Sequence, residues 1–352
     1  MPTPRLSRRR LLGGAALVAG SLGSAGLLAA CGEGPNSIST SGGRKNATMQ
    51  LGWLLDNGFL GEAVAESKGW FAENGINLTA APGGPSIDGL SVVAGGRGQI
   101  GQISSSPSVM LARSQGVPVK AFAVGVQEHP YAFFSRADKP VRTPKDLVGK
   151  TIGTQATGRI LVTALLAAND IDPGDVKVTV VGSDVTPLTE KKIDVWTGWL
   201  SNTAALRPLG SDYTHFRLWD SGIKLYANIY YTTERILADQ ADLLQGFVKA
   251  ASKGWAFARD NVEEAVDLLV KKQPTLNRQD MVDQSKVLLG FEFTSATASN
   301  GWGQMDRAVW QTQLDQWNAL KQFKADAPSV DDVASFDILD ATASDRVKVG
   351  KP

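Results

Sequence analysis

The sequence is short of the residues that build metal centres and redox sites. Its 352 residues include one cysteine and two histidines. A single cysteine excludes an intrachain disulfide framework, a Cys-Cys redox motif and a multi-cysteine zinc module. The spacing of the acidic residues indicates no oxygen-ligand metal site either. We therefore expect neither a bound metal nor a cofactor.

The sequence also lacks an excess of either positive or negative charge. The 36 basic and 35 acidic residues give a net charge of +1, so no bulk field favours nucleic acid, and we expect no nucleic-acid partner. With 43% hydrophobic and 20% charged residues, the composition is that of an ordinary folded protein. At this length two domains are expected, each large enough to bury its own core.

The basic excess lies at the N-terminus. Residues 1–30 contain four arginines and no acidic residue, and an apolar run extends from Leu11 to Ala30. This layout predicts a secretory signal peptide over 1–30. Ser7-Arg8-Arg9-Arg10-Leu11-Leu12 resembles the twin-arginine export motif, and a Sec signal is the alternative, because Sec signals also carry arginines. An uncleaved transmembrane helix is a further alternative, which the glycines and serines within the run disfavour.

The one cysteine, Cys31, stands at the end of this apolar run. Leu28-Ala29-Ala30-Cys31 resembles a bacterial lipobox, in which the cysteine is lipidated and becomes the mature N-terminus. Residues 31–46 have the glycine- and serine-rich composition of a flexible tether. We therefore expect a lipoprotein that a lipid anchor holds at the extracytoplasmic face of a cell membrane.

The mature chain alternates strands with helices, and it does so twice. Strands predicted between residues 49 and 124 are separated by helical patterns, and the alternation restarts near Asp146. Such alternation implies mostly parallel sheets with helices on both faces. From 234 to 325 the pattern is helical, and we expect these helices to cover the first block.

The two blocks predict two lobes. Lobe 1 is discontinuous and comprises 47–135 plus 226–352, and lobe 2 comprises 136–225. The chain is then expected to cross between the lobes twice, near 132–140 and near 224–231.

Three segments resemble a known family. Leu51-Gly52-Trp53, followed by the helix of 61–76 (GEAVAESKGWFAENGI), is similar to the start of solute-binding proteins of the alkanesulfonate, nitrate and thiamine-pyrimidine group. Residues 144–153 (PKDLVGKTIG) resemble the entry to the second lobe of that family, and 226–233 (YANIYYTT) its return strand. The resemblance extends over residues 49–325.

The resemblance implies a type II periplasmic-binding-protein fold, an α/β architecture of two lobes with mostly parallel sheets and a ligand cleft between them. It also implies a monomer that captures a small-molecule ligand by lobe closure and delivers it to the ABC permease in the membrane. We expect no catalysis, because the chain has no cysteine beyond Cys31 and no Ser-His-acid motif. A pyrimidine-synthase-like enzyme on the same fold is the less favoured alternative.

Ligands of open parallel sheets bind beyond the carboxyl ends of the strands, near helix N-termini. That rule selects polar and aromatic side chains from both blocks and from the returning strand. The predicted ligand-binding residues are Trp53, Asn57, Phe59, Ser104, Ser105, Ser106, Thr157, Gly158, Arg159, Asp184, Trp196, Trp199, Asn228 and Tyr230. A lone histidine is more often structural than ligand-binding, so His129 ranks below the aromatic residues.

Aromatic residues in this set favour a planar heterocycle, similar to the pyrimidine precursor of thiamine, stacked on Trp196 or Trp199. The alternative ligand is a small anion such as an alkanesulfonate or nitrate. An anion would be held by Ser104 to Ser106, Thr157 and Arg159.

Overall fold

The computed structural model describes residues 38–352. The predicted signal peptide, Cys31 and the first part of the predicted tether lie outside the described residues. The first long strand begins at Arg44 and forms a hairpin with Thr40–Ser41, so the fold starts before residue 47 and the predicted tether is too long at that end. Within the described range, no helix combines the length and the apolar character needed to cross a bilayer.

Residues 38–352 form two β-sheets. The strands are β1 (Thr40–Ser41), β2 (Arg44–Gln50), β3 (Ile76–Ala81), β4 (Ile100–Ser105), β5 (Val119–Val126), β6 (Tyr131–Arg136), β7 (Thr151–Thr154), β8 (Lys177–Val180), β9 (Val195–Trp199), β10 (Tyr213–Arg217) and β11 (Ala227–Thr233).

Both sheets have the same strand order. The first runs β3-β2-β4-β11-β5, with β1 on the start of β2, and the second runs β8-β7-β9-β6-β10. In each sheet the strand at the fourth position is antiparallel to its two neighbours. This strand is β11 in the first sheet and β6 in the second. The prediction of two α/β blocks with mostly parallel sheets is confirmed.

The two antiparallel strands mark where the chain changes sheets. After β5 the chain enters the second sheet through 127–130, and after β10 it returns through 218–226. Since β6 pairs with β9 and β10, we propose a lobe boundary at 127–130 in place of 135/136. Strand β11, expected to bridge the lobes, is an inner strand of the first sheet and pairs on both sides there.

Helices cover the sheets on both faces. They are α1 (Leu60–Ser67), α2 (Trp70–Glu73), α3 (Gly89–Ala94), α4 (Ser106–Ser114), α5 (Arg159–Ala168), α6 (Thr186–Thr189), α7 (Thr203–Leu206), α8 (Glu234–Asp239), α9 (Ala241–Asp260), α10 (Val262–Lys272), α11 (Arg278–Glu292), α12 (Ser295–Asn300), α13 (Arg307–Ala319), α14 (Val330–Val333) and α15 (Asp337–Ala341). Short 3₁₀ turns lie at Asn57–Phe59, Pro144–Leu147, Ala156–Gly158, Pro173–Asp175, Arg207–Leu209 and Trp219–Ser221.

The longest helix, α9, crosses α1 at a pair of glycines. A Cβ on Gly254 would lie 2.0 Å from the carbonyl oxygen of Gly61, and a Cβ on Gly61 would lie 2.2 Å from the ring of Trp255. Backbones come this close only where no side chain stands between them. The crossing fixes α1, and the loop that precedes α1 carries part of the site described below.

Candidate ligand-binding site

A cavity of about 380 Å³ lies where the two sheets face each other. Its walls include the ends of parallel strands β4 and β9, at Ser105 and Trp199, and the starts of antiparallel strands β11 and β6, at Asn228 and Tyr131. The volume falls in the range of small-molecule sites, about 300–1,000 Å³. The location is the one that the strand-end rule predicts.

The wall on the first sheet is a loop held in place by backbone and side-chain hydrogen bonds. Asp56 precedes the 3₁₀ turn of Asn57–Phe59, and its Oδ1 accepts a 2.9 Å hydrogen bond from the backbone N–H of Gly58. Gln102, on β4, donates from Nε2 to the carbonyl oxygen of Gly58 over 2.9 Å. These bonds fix the loop against the sheet before any ligand enters.

The wall on the second sheet is organised around a buried tyrosine. The hydroxyl oxygen of Tyr131 lies 2.8 Å from Thr197 Oγ1 and 2.9 Å from Thr154 Oγ1. Tyr131 therefore links the end of β7, at Thr154, to the middle of β9, at Thr197. Trp199, half-buried at the end of β9, leaves part of its ring surface open to the cavity.

A third wall comes from helix α11 (Arg278–Glu292), which follows β10, the last strand of the second sheet, by about sixty residues. Met281, Gln284 and Leu288, at helical spacing, line the cavity. These three residues were not predicted from the sequence, because an apolar helical stripe predicts core packing wherever it occurs.

Charge in the cavity has one sign. Asp56 and Asp88 line it, and no lysine or arginine does so among residues 38–352. Burial raises the pKa of Asp56 from 3.8 to about 6, and the hydrogen bond from Gly58 only partly offsets this. An anion entering this cavity would meet carboxylates and no compensating cation.

His129, on the passage from β5 to β6, is a neutral donor. Its Nδ1 accepts from the backbone N–H of Tyr131 over 3.3 Å, which leaves the proton on Nε2. Burial lowers its pKa to about 3, so the ring stays uncharged at physiological pH. Its ring packs edge-on against Trp199 at 5.5 Å between centroids.

Eight of the predicted ligand-binding residues lie in the cavity wall, and whether they contact a ligand remains a prediction. They are Trp53, Asn57, Ser104, Ser105, Thr157, Gly158, Trp199 and Asn228.

Three other predicted residues face the core instead. Trp196 is fully buried and packs on Phe134, with ring centroids 5.6 Å apart. Phe59 is 1% exposed within the first core. Tyr230 is fully buried and donates a 2.5 Å hydrogen bond to Glu62. Trp196 and Phe59 were selected for lying near a strand end or a turn, and strand alternation or helix packing turns their side chains away from the cavity. Tyr230 was selected with Asn228 because residues two apart on a strand face the same side. Asn228, with a φ of 47°, departs from strand geometry, and of the two only Asn228 lines the cavity.

The remaining three predicted residues have local structural roles or face solvent. Ser106 is buried and donates a 2.6 Å hydrogen bond to Gln313. Asp184 is exposed and accepts from the backbone N–H of Thr186 at the start of α6, which is the ordinary role of a turn aspartate. Arg159 is exposed at the start of α5 and does not line the cavity.

Asp56, Gln102 and Tyr131 also line the cavity and were not among the residues predicted from the sequence. The local sequence could have indicated Asp56. An aspartate two residues before a glycine favours a turn in which one carboxylate oxygen accepts from the backbone and the other has no partner within the turn. Gln102 and Tyr131 lie within strands, where the sequence does not show which residues face the cleft.

These sheets and the cleft between them define a periplasmic-binding-protein fold, and solved structures agree. The periplasmic aliphatic sulphonate binding protein SsuA from Escherichia coli superposes with a TM-score of 0.63 at 14% identity, covering 82% of this chain and 92% of that one. The predicted two-lobed fold is confirmed. At this identity the likeness concerns the fold alone.

The chain belongs to the NMT1/THI5-like family, whose model matches residues 56–265. It is 30% identical over 276 residues to the riboflavin-binding protein RibY of Chloroflexus aurantiacus, covering 76% of this chain and 78% of that protein. The formylaminopyrimidine-binding protein of Halalkalibacterium halodurans is 26% identical over 299 residues, covering 82% and 90%. The 4-amino-5-hydroxymethyl-2-methylpyrimidine phosphate synthase of Legionella pneumophila is 24% identical over 239 residues, covering 66% and 75%. The resemblance seen in the sequence is thereby confirmed.

Proposed function

We propose that this chain is the solute-binding protein of an ABC importer and that it captures a small planar nitrogen heterocycle that carries no negative charge. The cavity itself carries the proposal, because its wall holds two carboxyl groups and, within residues 38–352, no cationic side chain. A heterocycle with N–H groups gains hydrogen bonds from such a wall, whereas an alkanesulfonate or nitrate is repelled by it.

Aromatic side chains supply the flat surfaces that such a ligand needs. Trp53 contributes from the first sheet and Trp199 from the second, and the edge-on contact with His129 helps to hold the Trp199 ring in place. Stacking on such a ring contributes about 0.5–1.5 kcal/mol beyond area burial. Arg159, on which the anion alternative depended, is exposed outside the cavity.

The named relatives point in the same direction. Two of them are named for riboflavin and for formylaminopyrimidine, which are both planar nitrogen heterocycles. The relatives therefore support two candidate ligands: the thiamine-pyrimidine-like compound expected from the sequence, and a flavin.

Binding is favoured over catalysis by the chemistry of the wall. One relative is named as a pyrimidine phosphate synthase, so the fold alone does not decide. Among the described residues, the cavity wall holds no cysteine or lysine nucleophile, and its histidine has a pKa far below that of a general base at neutral pH.

Capture by lobe closure follows from contacts that involve both sheets. Leu54 and Ile87, at the cavity, are 54% and 49% exposed. A ligand that covers them and touches both walls stabilises the closed form through its differential affinity. A monomer tethered through lipidated Cys31, handing its ligand to a permease at the extracytoplasmic face, completes the proposal.

Isothermal titration calorimetry combined with product analysis tests the function. We expect riboflavin or formylaminopyrimidine to bind with a Kd of micromolar or below, about −8.2 kcal/mol, and to be recovered unchanged. Methanesulfonate and nitrate should give no heat of binding. Tight binding of an anion without heterocycle binding, or conversion of a bound heterocycle into product, would refute the proposal.

A further inference from the structure

A buried amide in the cavity wall has an unused donor. Asn228 is 6% exposed, and its Nδ2 has no hydrogen-bond partner in the structure. An unsatisfied buried donor is costly, by about 1–3 kcal/mol, so such groups in native proteins call for an explanation.

The backbone at Asn228 is in the left-handed region, with a φ of 47°. Left-handed residues other than glycine are uncommon, and within strands they carry strain. Gly125, on the neighbouring strand β5, provides the space, since a Cβ there would lie 3.2 Å from the Cβ of Asn228. The left-handed backbone and the adjacent glycine together hold this amide in the cavity wall.

Asp56 provides an acceptor beside this donor. The position that a Cβ would occupy on Gly58 lies 3.2 Å from Asp56 Oδ1 and 3.6 Å from Asn228 Nδ2, so the two side chains are neighbours. The N–H of Gly58 occupies Oδ1 of Asp56. Within residues 38–352 no donor bonds the second oxygen, which leaves it for a ligand.

We propose that Asp56 and Asn228 form a specificity-determining pair that recognises one edge of the ligand ring. That edge consists of an acceptor atom next to an N–H group. The inference rests on the proposed function and deepens it. Asn228 donates to the acceptor and Asp56 accepts from the N–H. A lactam edge, as in the imide of riboflavin, and an aminopyrimidine edge both present this pattern. An alkanesulfonate or nitrate presents acceptors only and would be rejected at Asp56.

The turn at Asp56 makes an isosteric substitution informative. In Asp56→Asn the Gly58 N–H still requires an oxygen at the Oδ1 position, so the new NH₂ replaces the free oxygen and meets the N–H of the ligand. In Asn228→Gly the left-handed backbone is relaxed and the donor is lost. The hydrogen bond at Asp56 is charge-assisted, and loss of the Asn228 donor leaves a ligand acceptor unpaired in a buried site, so each change is worth about tenfold or more in affinity.

The experiment pairs these variants with N-methylated probes. Riboflavin is compared with N3-methylriboflavin, and 4-amino-5-hydroxymethyl-2-methylpyrimidine with its 4-dimethylamino analogue, by calorimetry on the full chain. We expect the wild type to prefer the N–H form of whichever ring it binds by at least tenfold. In Asp56→Asn that preference should fall to threefold or less. Asn228→Gly should weaken binding of both forms by at least tenfold.

Two matched variants separate this role from folding. Asp172→Asn alters the same kind of turn, in which Asp172 accepts from the N–H of Gly174 over 2.7 Å on the surface. Lys191→Gly relaxes another left-handed residue, with a φ of 60°. Both controls should keep the affinity and the N-methyl preference of the wild type, and the melting temperature of Asn228→Gly should not fall below that of the wild type.

The outcomes distinguish this inference from the function on which it rests. Failure of every heterocycle to bind wild-type protein overturns both. Binding with an unchanged N-methyl preference in Asp56→Asn, or with undiminished affinity in Asn228→Gly, overturns the pair and leaves the function standing. If only one of the two rings binds, a fall in its N-methyl preference in Asp56→Asn supports the pair and identifies the edge that the protein recognises.

Discussion

Trp196 and Trp199 stand on opposite faces of strand β9. Side chains alternate along a strand, so an offset of three residues places the two rings on different sides. Trp196 is fully buried against Phe134 in the core of the second sheet, and Trp199 borders the cavity and contacts His129. The two tryptophans therefore have separable roles.

Substitution of each tryptophan should affect a different measurement. Trp199→Ala should weaken heterocycle binding about tenfold or more while leaving the melting temperature nearly unchanged. Trp196→Ala should lower the free energy of unfolding by about 3–5 kcal/mol, the usual cost of deleting a buried tryptophan. Urea denaturation and calorimetry on both variants provide the check, and a Trp196→Ala protein of wild-type stability would contradict the assignment of that ring to the core.

Ligand binding should weaken in acid. The pKa of Asp56 is about 6 in the folded protein without ligand, and only the ionised carboxylate accepts fully from an N–H. Affinity for a neutral heterocycle should therefore fall as the pH drops from 8 through 6 to 5. His129, with a pKa of about 3, does not titrate in this window. Asp56→Asn should flatten this pH profile. The controls are Asp88→Asn, in the cavity wall, and Glu62→Gln, behind it. Both should keep the wild-type profile if Asp56 is the group that titrates.

Stability should fall as the pH rises, because of a buried carboxyl group behind the site. Glu62 is fully buried, and burial raises its pKa from 4.5 to about 7 in spite of the hydrogen bond from Tyr230. The folded state therefore holds this proton more tightly than the unfolded state. Its contribution to stability is complete below pH 4.5 and is lost as the pH rises through 7. The nearby carboxyl group of Glu292, also buried with a raised pKa, acts in the same direction.

Glu62→Gln isolates this contribution. The glutamine retains an oxygen for the hydroxyl of Tyr230 and cannot ionise. Urea unfolding at pH 5 and pH 8 should show a smaller loss of stability over this interval than in the wild type, with a difference on the order of 3 kcal/mol. An equal pH dependence in the two proteins would show that Glu62 does not carry the effect.

The glycine crossing of α1 and α9 should tolerate no side chain. Gly254→Val would force a branched side chain against the backbone of Gly61 and should destabilise the protein by about 1–3 kcal/mol or more. Gly290→Ala, in helix α11 with no atom within 4 Å of the new Cβ, is the matched control and should stabilise by about 0.4–1 kcal/mol. Thermal denaturation measures both, and equal effects would argue against the close crossing.

Arg159 should be dispensable for ligand binding. It is exposed at the start of α5 and lies outside the cavity wall, so Arg159→Ala should change the Kd for a heterocycle by less than twofold. A large loss of heterocycle affinity in this variant would contradict the placement of Arg159 outside the binding site.

Local sequence patterns predicted most strands of the fold, but not β6, whose residues were expected to form a crossing between the lobes and instead pair with β9 and β10. The alternation of strands and helices gave both blocks, and strand ends combined with turn residues located the loops after β2, β4, β7 and β9 near the cleft. Trp53, Ser105 and Thr157 were found in this way. The prediction failed where two residues share a strand end but face different sides, as Trp196 and Trp199 do.

Other features depend on contacts between distant parts of the chain. The insertion of β11 between β4 and β5 joins segments about a hundred residues apart, and no local pattern encodes that pairing. The same holds for helix α11, whose Met281 and Gln284 reach the cavity from beyond both sheets.

The sequence by itself determined the α/β class, the family and the strand-end location of the site, because periodicity, turn chemistry and short motifs are properties of neighbouring residues. Only the tertiary structure decided the sign of the charge in the cavity and the pairing of Asp56 with Asn228. Net charge, a sum over the whole chain, says nothing of where two carboxyl groups meet. The contact of Asp56 with Asn228 depends in turn on packing between the loop after the first long strand and a strand that returns from the second sheet.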